Sequence, residues 1–170
     1  MNVFFDTEFT TSESHIGYPG LISIACIAED GREFYAELTN TWQPGNCSQF
    51  VLDTVLPLLD GGDCRMLDAQ CAQRLKYWIE SLTDSLVIMR SDAPRYDWPW
   101  IEELFQFFGC WPNNLRRKCG SICFDNENQQ QRFDNALKEY WRINQARRHH
   151  ALVDARSLLY AWKQAIRRGF

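Results

Sequence analysis

Residues 21–38 read LISIACIAEDGREFYAEL, and no other segment limits the possible folds as much. The apolar run from Leu21 to Ala28 suits a strand buried on both faces. Asp30-Gly31 is a strong short hairpin signal, so Arg32 to Leu38 is predicted to fold back as the antiparallel partner of that run. The chain must build a sheet, and the strand-like VFFDTEF upstream makes a meander of three.

Later segments change period. A Gly/Pro-marked loop, His15 to Gly20, joins the first two strands. Phe50, Val51, Val55, Leu58 and Leu59 predict a short helix limited by Pro57. Cys71, Leu75, Trp78, Ile79 and Leu82 recur at helical spacing, giving an amphipathic helix from about Asp68 to Leu82. Ser85 to Met89 returns to strand character. Trp98, Ile101, Leu104, Phe105 and Phe108 mark another helix, with Pro99 in its first turn and Gly109 as its stop. Gly120 to Phe124 reads as a last strand, and two more helices are expected around Asn128 to Ile143 and Leu152 to Arg168. A meander followed by alternating helices and strands predicts an α/β domain with a mixed central sheet of about five strands flanked by helices. With 170 residues, 45% of them hydrophobic, one domain over residues 1–170 is expected.

The apolar run is far too short to cross a bilayer, and no basic, apolar leader opens the chain, so no membrane association is expected. Seven cysteines without a CxxC pair suit reduced thiols and a cytoplasmic setting. The net charge of −4 is unevenly spread: residues 1–90 carry five Lys/Arg against thirteen Asp/Glu, and residues 91–170 carry thirteen against nine. Clusters at Arg116-Arg117-Lys118, Arg142, Arg147-Arg148 and Arg167-Arg168 could therefore face a phosphate chain, or lie as solvated helix ends.

VFFDTEF closes on two carboxylates two residues apart. On an extended strand Asp6 and Glu8 point to one side and Thr7 to the other. Either both acids are solvated at a frayed end, or a divalent cation held by oxygen ligands relieves their repulsion. Asp97, at the start of a helix after the SLVIM strand, and Asp154, at the start of the last helix, are further acids at the carboxyl ends of strands, where open α/β sheets gather ligands. Each alone also suits a helix start. His149 and His150 precede Asp154. His149 needs a loop position ahead of the helix if it is to reach the same site, because five residues on a continuous helix put the two on different faces.

Asp6-Thr7-Glu8, then Tyr96-Asp97, then His149-His150-Ala151-Leu152-Val153-Asp154 resemble the three exonuclease motifs of the DEDD superfamily. The third motif resembles that of the branch with His-x-Ala-x-x-Asp, which includes ribonuclease T, oligoribonuclease and the proofreading subunits of DNA polymerases. VFFDTEF, ISIACIAEDGREFYAEL and VLPLL look most like the small stand-alone 3′-5′ exoribonucleases of that group. The resemblance implies a ribonuclease-H-like fold and two-metal hydrolysis at the 3′ end of a single strand, RNA before DNA, with magnesium or manganese as cofactor and a homodimer as a possible assembly. It implies that Asp6, Glu8 and Asp154 bind one ion, that Asp6 and Asp97 serve the other, and that His149 removes the proton of the attacking water. A site holding a single-stranded end makes Phe9, Thr10 and Trp98 candidate substrate contacts, although an aromatic beside a site residue, as Phe9 and Trp98 are, is more often core than stacking platform. An Asn that usually stands a few residues before the second Asp is missing, the region reading Ser91-Asp92-Ala93-Pro94, so Asp92 competes with Asp97, as His150 does with His149. The rival reading is a non-catalytic nucleic-acid-binding module whose acids are only structural.

Overall fold

The structure is a computed structural model and describes residues 1–11, 19–124 and 126–167. Most of the predicted His15–Gly20 loop, together with Arg168, lies outside them. β1 (Asn2–Phe9), β2 (Leu21–Ala28) and β3 (Glu33–Leu38) form the meander, followed by β4 (Arg65–Met66), α1 (Asp68–Leu82), β5 (Ile88–Ser91), α2 (Pro94–Phe107), β6 (Gly120–Ser121), α3 (Glu127–Asn144) and α4 (Ala151–Ile166). The sheet has six strands in the order β4-β3-β2-β1-β5-β6. One edge strand, β4, is additional to the expected five and at two residues is too short to show as a period in the sequence, while the expected Gly120–Phe124 strand is shortened to β6. β2 runs antiparallel to β1 and β3, whereas β5 pairs parallel with β1, and β6 with β5.

Both faces of the sheet are covered. Val3 and Phe5 of β1 pack with α1 and α2 through Leu75, Ile79, Ile101 and Phe105, while Phe4 packs with α3 and α4 through Phe133, Ala155 and Leu158. Burial on both faces is what permits β2 to be apolar at every position but Ser23, all eight residues being buried. The same alternation carries Asp6 and Glu8 to the α3/α4 side and Thr7 to the α1/α2 side.

Differences from the sequence expectations have local causes. The segment around Phe50 forms one π turn, Val51–Val55, and a 3-10 turn, Leu56–Leu58, because Pro57 cannot donate to a continuing helix. β5 begins three residues later than the apolar SLVIM pattern suggests, since its register is set by pairing Asn2 with Ile88 and Phe4 with Arg90; Val87 makes only an isolated bridge to Leu115. α2 begins at Pro94, whose fixed φ and missing N–H suit a first turn, so Pro99 lies inside the helix.

The loop after β1 is closed by Thr10. Its N–H donates to the Gly20 carbonyl and its Oγ1 accepts from the Gly20 N–H, both at 2.9 Å, while its carbonyl accepts from Ser48 N–H. A Cβ on Gly20 would stand 2.3 Å from the Thr41 carbonyl oxygen. Gly20→Ala is therefore expected to lower stability by about 1–3 kcal/mol. The measurement is the urea midpoint at unchanged m-value; a wild-type midpoint would show that the Thr41 backbone yields freely.

Candidate active site

A cleft of about 770 Å³ opens at the carboxyl ends of β1 and β5. Asp6, Glu8, Asp92, Asp97, His149 and Asp154 all line it, with Phe9 and Tyr96 on one side and Lys138, Trp141 and Arg148 on another. β1 supplies Asp6 and Glu8 from one face, and its pairing with β2 slips between Glu8 and Phe9. Beyond β5 the chain enters α2, which brings Asp97 to the cleft with only 3% of its surface exposed. Two hydroxyls hold the Asp97 carboxylate: Thr7 Oγ1 donates to Oδ1 at 2.8 Å and Ser91 Oγ donates to Oδ2. Thr7, the residue between the two acids of β1, thereby ties the first motif to the second from the opposite face of the strand.

The third motif is folded around His149. Its φ of 71° is left-handed, a conformation that costs an L-residue about 1–2 kcal/mol and that concentrates at functional sites. The turn delivers the His149 N–H to Asp154 Oδ2 at 3.0 Å and puts the imidazole in the cleft, edge-on to Phe50 at 5.0 Å. His150 does not enter the cleft. It is 3% exposed, its ring packs 4.9 Å from that of Tyr35, and its Nε2 lies 3.2 Å from Asp60 Oδ2 without hydrogen-bond geometry.

Donor atoms of Glu8, His149 and Asp154 all lie within 4.8 Å of one another, as do those of Asp6, Asp92 and Asp97. The grouping differs from the one the resemblance implies. Asp6 stands with Asp97 and with its competitor Asp92, which is exposed at the rim, and His149 stands beside Glu8 and Asp154. Asp6 Oδ2 and Asp154 Oδ1 are buried with no hydrogen-bond partner. Buried carboxylate oxygens without donors, in two adjoining groups of hard ligands, fit divalent cations.

Electrostatics agree with that fit. Burial, reinforced by Glu8, Asp97 and Asp154, holds the Asp6 carboxyl well above the usual range. Burial and then Asp154 push Glu8 up to about 8. Burial raises Asp154 to about 7 against the opposing His149 N–H, and Asp97 to about 6 against the Ser91 and Thr7 hydroxyls. Burial, with the nearby Arg148 charge, lowers His149 and so favours the neutral ring that can accept a proton.

Two expected substrate contacts are placed elsewhere. Trp98 is 9% exposed and sits in the core against Phe5 and Trp111, because it shares the buried stripe of Ile101 and Phe105 once α2 starts at Pro94. Thr10 is fully buried and engaged by Gly20. Neither has a face for a nucleotide. Phe9 lines the cleft, backed by Trp100 at 5.6 Å. Sequence reasoning missed Tyr96, 56% exposed beside Asp97, and Phe50, 53% exposed against His149. Tyr96 was available from the helix start at Pro94; for Phe50 no local signal existed. Of the arginine clusters, Arg142 pairs with Glu139 and Arg147 with Asp60, Arg117 lies over the Trp111 ring, and Arg148 lines the cleft.

Solved structures of Escherichia coli exonuclease I share this fold. A zinc-bound complex with single-stranded DNA superposes with a TM-score of 0.56 at 14% identity over 96% of this chain, the apo form with 0.55 at 15% over 97%, and a complex with a dT13 oligonucleotide with 0.55 at 12% over 93%. This chain spans 39–41% of the length of those proteins. No protein-family model and no curated protein matches the sequence. The α/β fold is ribonuclease-H-like, as in these exonuclease structures.

The raised carboxyls fix a pH dependence for the metal-free protein. A carboxyl whose folded pKa exceeds its unfolded value near 4 stabilises the fold below that value and loses this contribution as pH rises through the folded pKa. Asp154 at about 7 and Glu8 at about 8 titrate in the folded state above pH 6.5, where the lowered histidines add only the small opposing contribution of the protons they still bind in the unfolded state up to about pH 7.5. In chelator, the thermal midpoint is expected to fall from about pH 6.5 to 8.5, and added magnesium or manganese should recover more of it at the upper end. A flat profile would contradict the crowding of buried charge.

Proposed function

We propose that this chain is a divalent-metal-dependent 3′-5′ exonuclease acting on single-stranded nucleic acid. The observation that carries the reading is the convergence of Asp6, Glu8, Asp97, Asp154 and His149 from three distant segments into one cleft. A purely structural role offers no return for the repulsion of these acids. The fold shared with an exonuclease crystallised on single-stranded DNA supports it.

Two divalent cations, bound by Asp6, Glu8, Asp97 and Asp154 as the DEDD resemblance implies, would supply Lewis acidity and a lowered pKa for bound water; magnesium or manganese suits the hard oxygen ligands. His149 takes the proton from the attacking water. Its backbone turn holds the ring over the cleft, and Phe50 restricts the ring's swing. Thr7 and Ser91 orient Asp97 and keep its oxygens fixed against the neighbouring charge. Phe9, backed by Trp100, offers a ring to the terminal base. RNA is the substrate favoured by the sequence resemblance to stand-alone exoribonucleases, and DNA is the alternative suggested by the oligonucleotides bound to the structural neighbours.

Incubation with matched 5′-labelled RNA and DNA single strands tests this directly. Stepwise shortening that requires a divalent ion is expected, and a single internal cut would point to an endonuclease instead. Asp6→Asn should abolish the shortening while the protein stays folded; unchanged activity removes the assignment. His149→Ala is expected to lower kcat by about 10²–10⁴-fold, and a near-normal rate would give the base role to another group.

A further inference from the structure

The acids form the floor of the cleft, and α3 forms a wall. Asp134, Leu137, Lys138 and Trp141 fall at i, i+3, i+4 and i+7, a single helix face, and all four line the cleft. A stripe that met only the core would be apolar throughout. This one packs Leu137 against the core and ends in a lysine and a half-buried tryptophan. Arg148, from the turn before α4, completes the wall with its guanidinium 5.7 Å from the Trp141 ring centre.

The pairing of the cations is uneven. Arg32, Lys76, Arg142, Arg147 and Arg156 each contact a carboxylate. Among the described residues, the side chains of Lys138 and Arg148 form neither an ion pair nor a hydrogen bond, as is also true of Arg65, Arg74, Arg95, Arg116, Lys118 and Lys163, but of these only Lys138 and Arg148 line the carboxylate-rich cleft. Two unpaired cations flanking an aromatic ring, beside a site read as cutting phosphodiesters, match the repeating phosphate-and-base chemistry of a single strand.

We propose that Lys138, Trp141 and Arg148 form the subsite that holds the strand upstream of the scissile bond, the two cations on non-bridging phosphate oxygens and Trp141 against a base or sugar. This rests on the exonuclease reading of the cleft. Phosphates are the same at every step and every base has a π-face, so such a wall grips the chain without reading its sequence.

The test is binding of a fluorescein-labelled single-stranded oligonucleotide by anisotropy across a salt series, on the Asp6→Asn background so that the strand is not consumed. Lys138→Ala and Arg148→Ala should each flatten the slope of log Kd against log salt by about 0.7, and Trp141→Ala should weaken binding by about fivefold or more. Lys163→Ala, an exposed cation on α4 away from the cleft, should leave the slope as it was. In the active protein, Lys138→Ala should lower kcat/KM for the oligonucleotide more than for the p-nitrophenyl ester of thymidine 5′-monophosphate, which has no upstream phosphate. Unchanged slopes, or equal losses on both substrates, overturn the subsite. Wild-type protein that binds the strand with the expected slopes yet cleaves neither substrate overturns the exonuclease reading and leaves the binding wall standing.

Discussion

Mutual repulsion among buried carboxylates is the force that the structure around the cleft must withstand. Two unit charges 4 Å apart cost about 4 kcal/mol at an effective dielectric of 20, and Asp6 feels Glu8, Asp97, Asp154 and Asp92 at once. The supports are rigid. Asp6 and Glu8 lie on a strand hydrogen-bonded along its length to β2, Asp97 is braced by two hydroxyls, and Asp154 accepts a backbone N–H. Divalent ions would turn this tension into binding energy, so stability and the proposed chemistry draw on one arrangement.

A second set of contacts fixes the loops around those acids. Thr10 joins the end of β1 to Gly20 and Ser48, and the segment after Ser48 carries Phe50 to the edge of His149. On the other side of His149, Arg147 pairs with Asp60 and His150 packs on Tyr35, while Glu37 accepts the N–H groups of Asp60 and Gly61. The residues flanking His149 are thus anchored to the sheet through the Asp60 loop. An unfavourable φ can persist there because its neighbours leave the backbone little alternative.

The sequence carried the central strands and long helices plainly, since β2 is apolar at all positions but Ser23 and α1 keeps an unbroken helical period. It could not carry β4, where two residues show no period, nor the true start of β5 and end of β6, which depend on pairing with neighbouring strands. In the site, the acids and His149 were visible as residue types at motif spacing. The roles of the aromatics were not, because whether a ring near Asp97 faces core or solvent turns on where α2 begins. A start at Pro94 buries Trp98 and exposes Tyr96. The α3 wall escaped notice because Lys138 and Trp141 are ordinary residues for an amphipathic helix until the cleft beside them is known.

The alternation of β1 makes the cleft a matter of parity. Adding or deleting one residue between Val3 and Phe5 could leave a strand that still pairs, still packs and still satisfies its backbone, yet presents Thr7 where Asp6 and Glu8 now stand. Two such changes restore the original phase. Drift in this strand should therefore come in even steps, and a descendant one step out of phase would keep the scaffold and lose its chemistry in a single event.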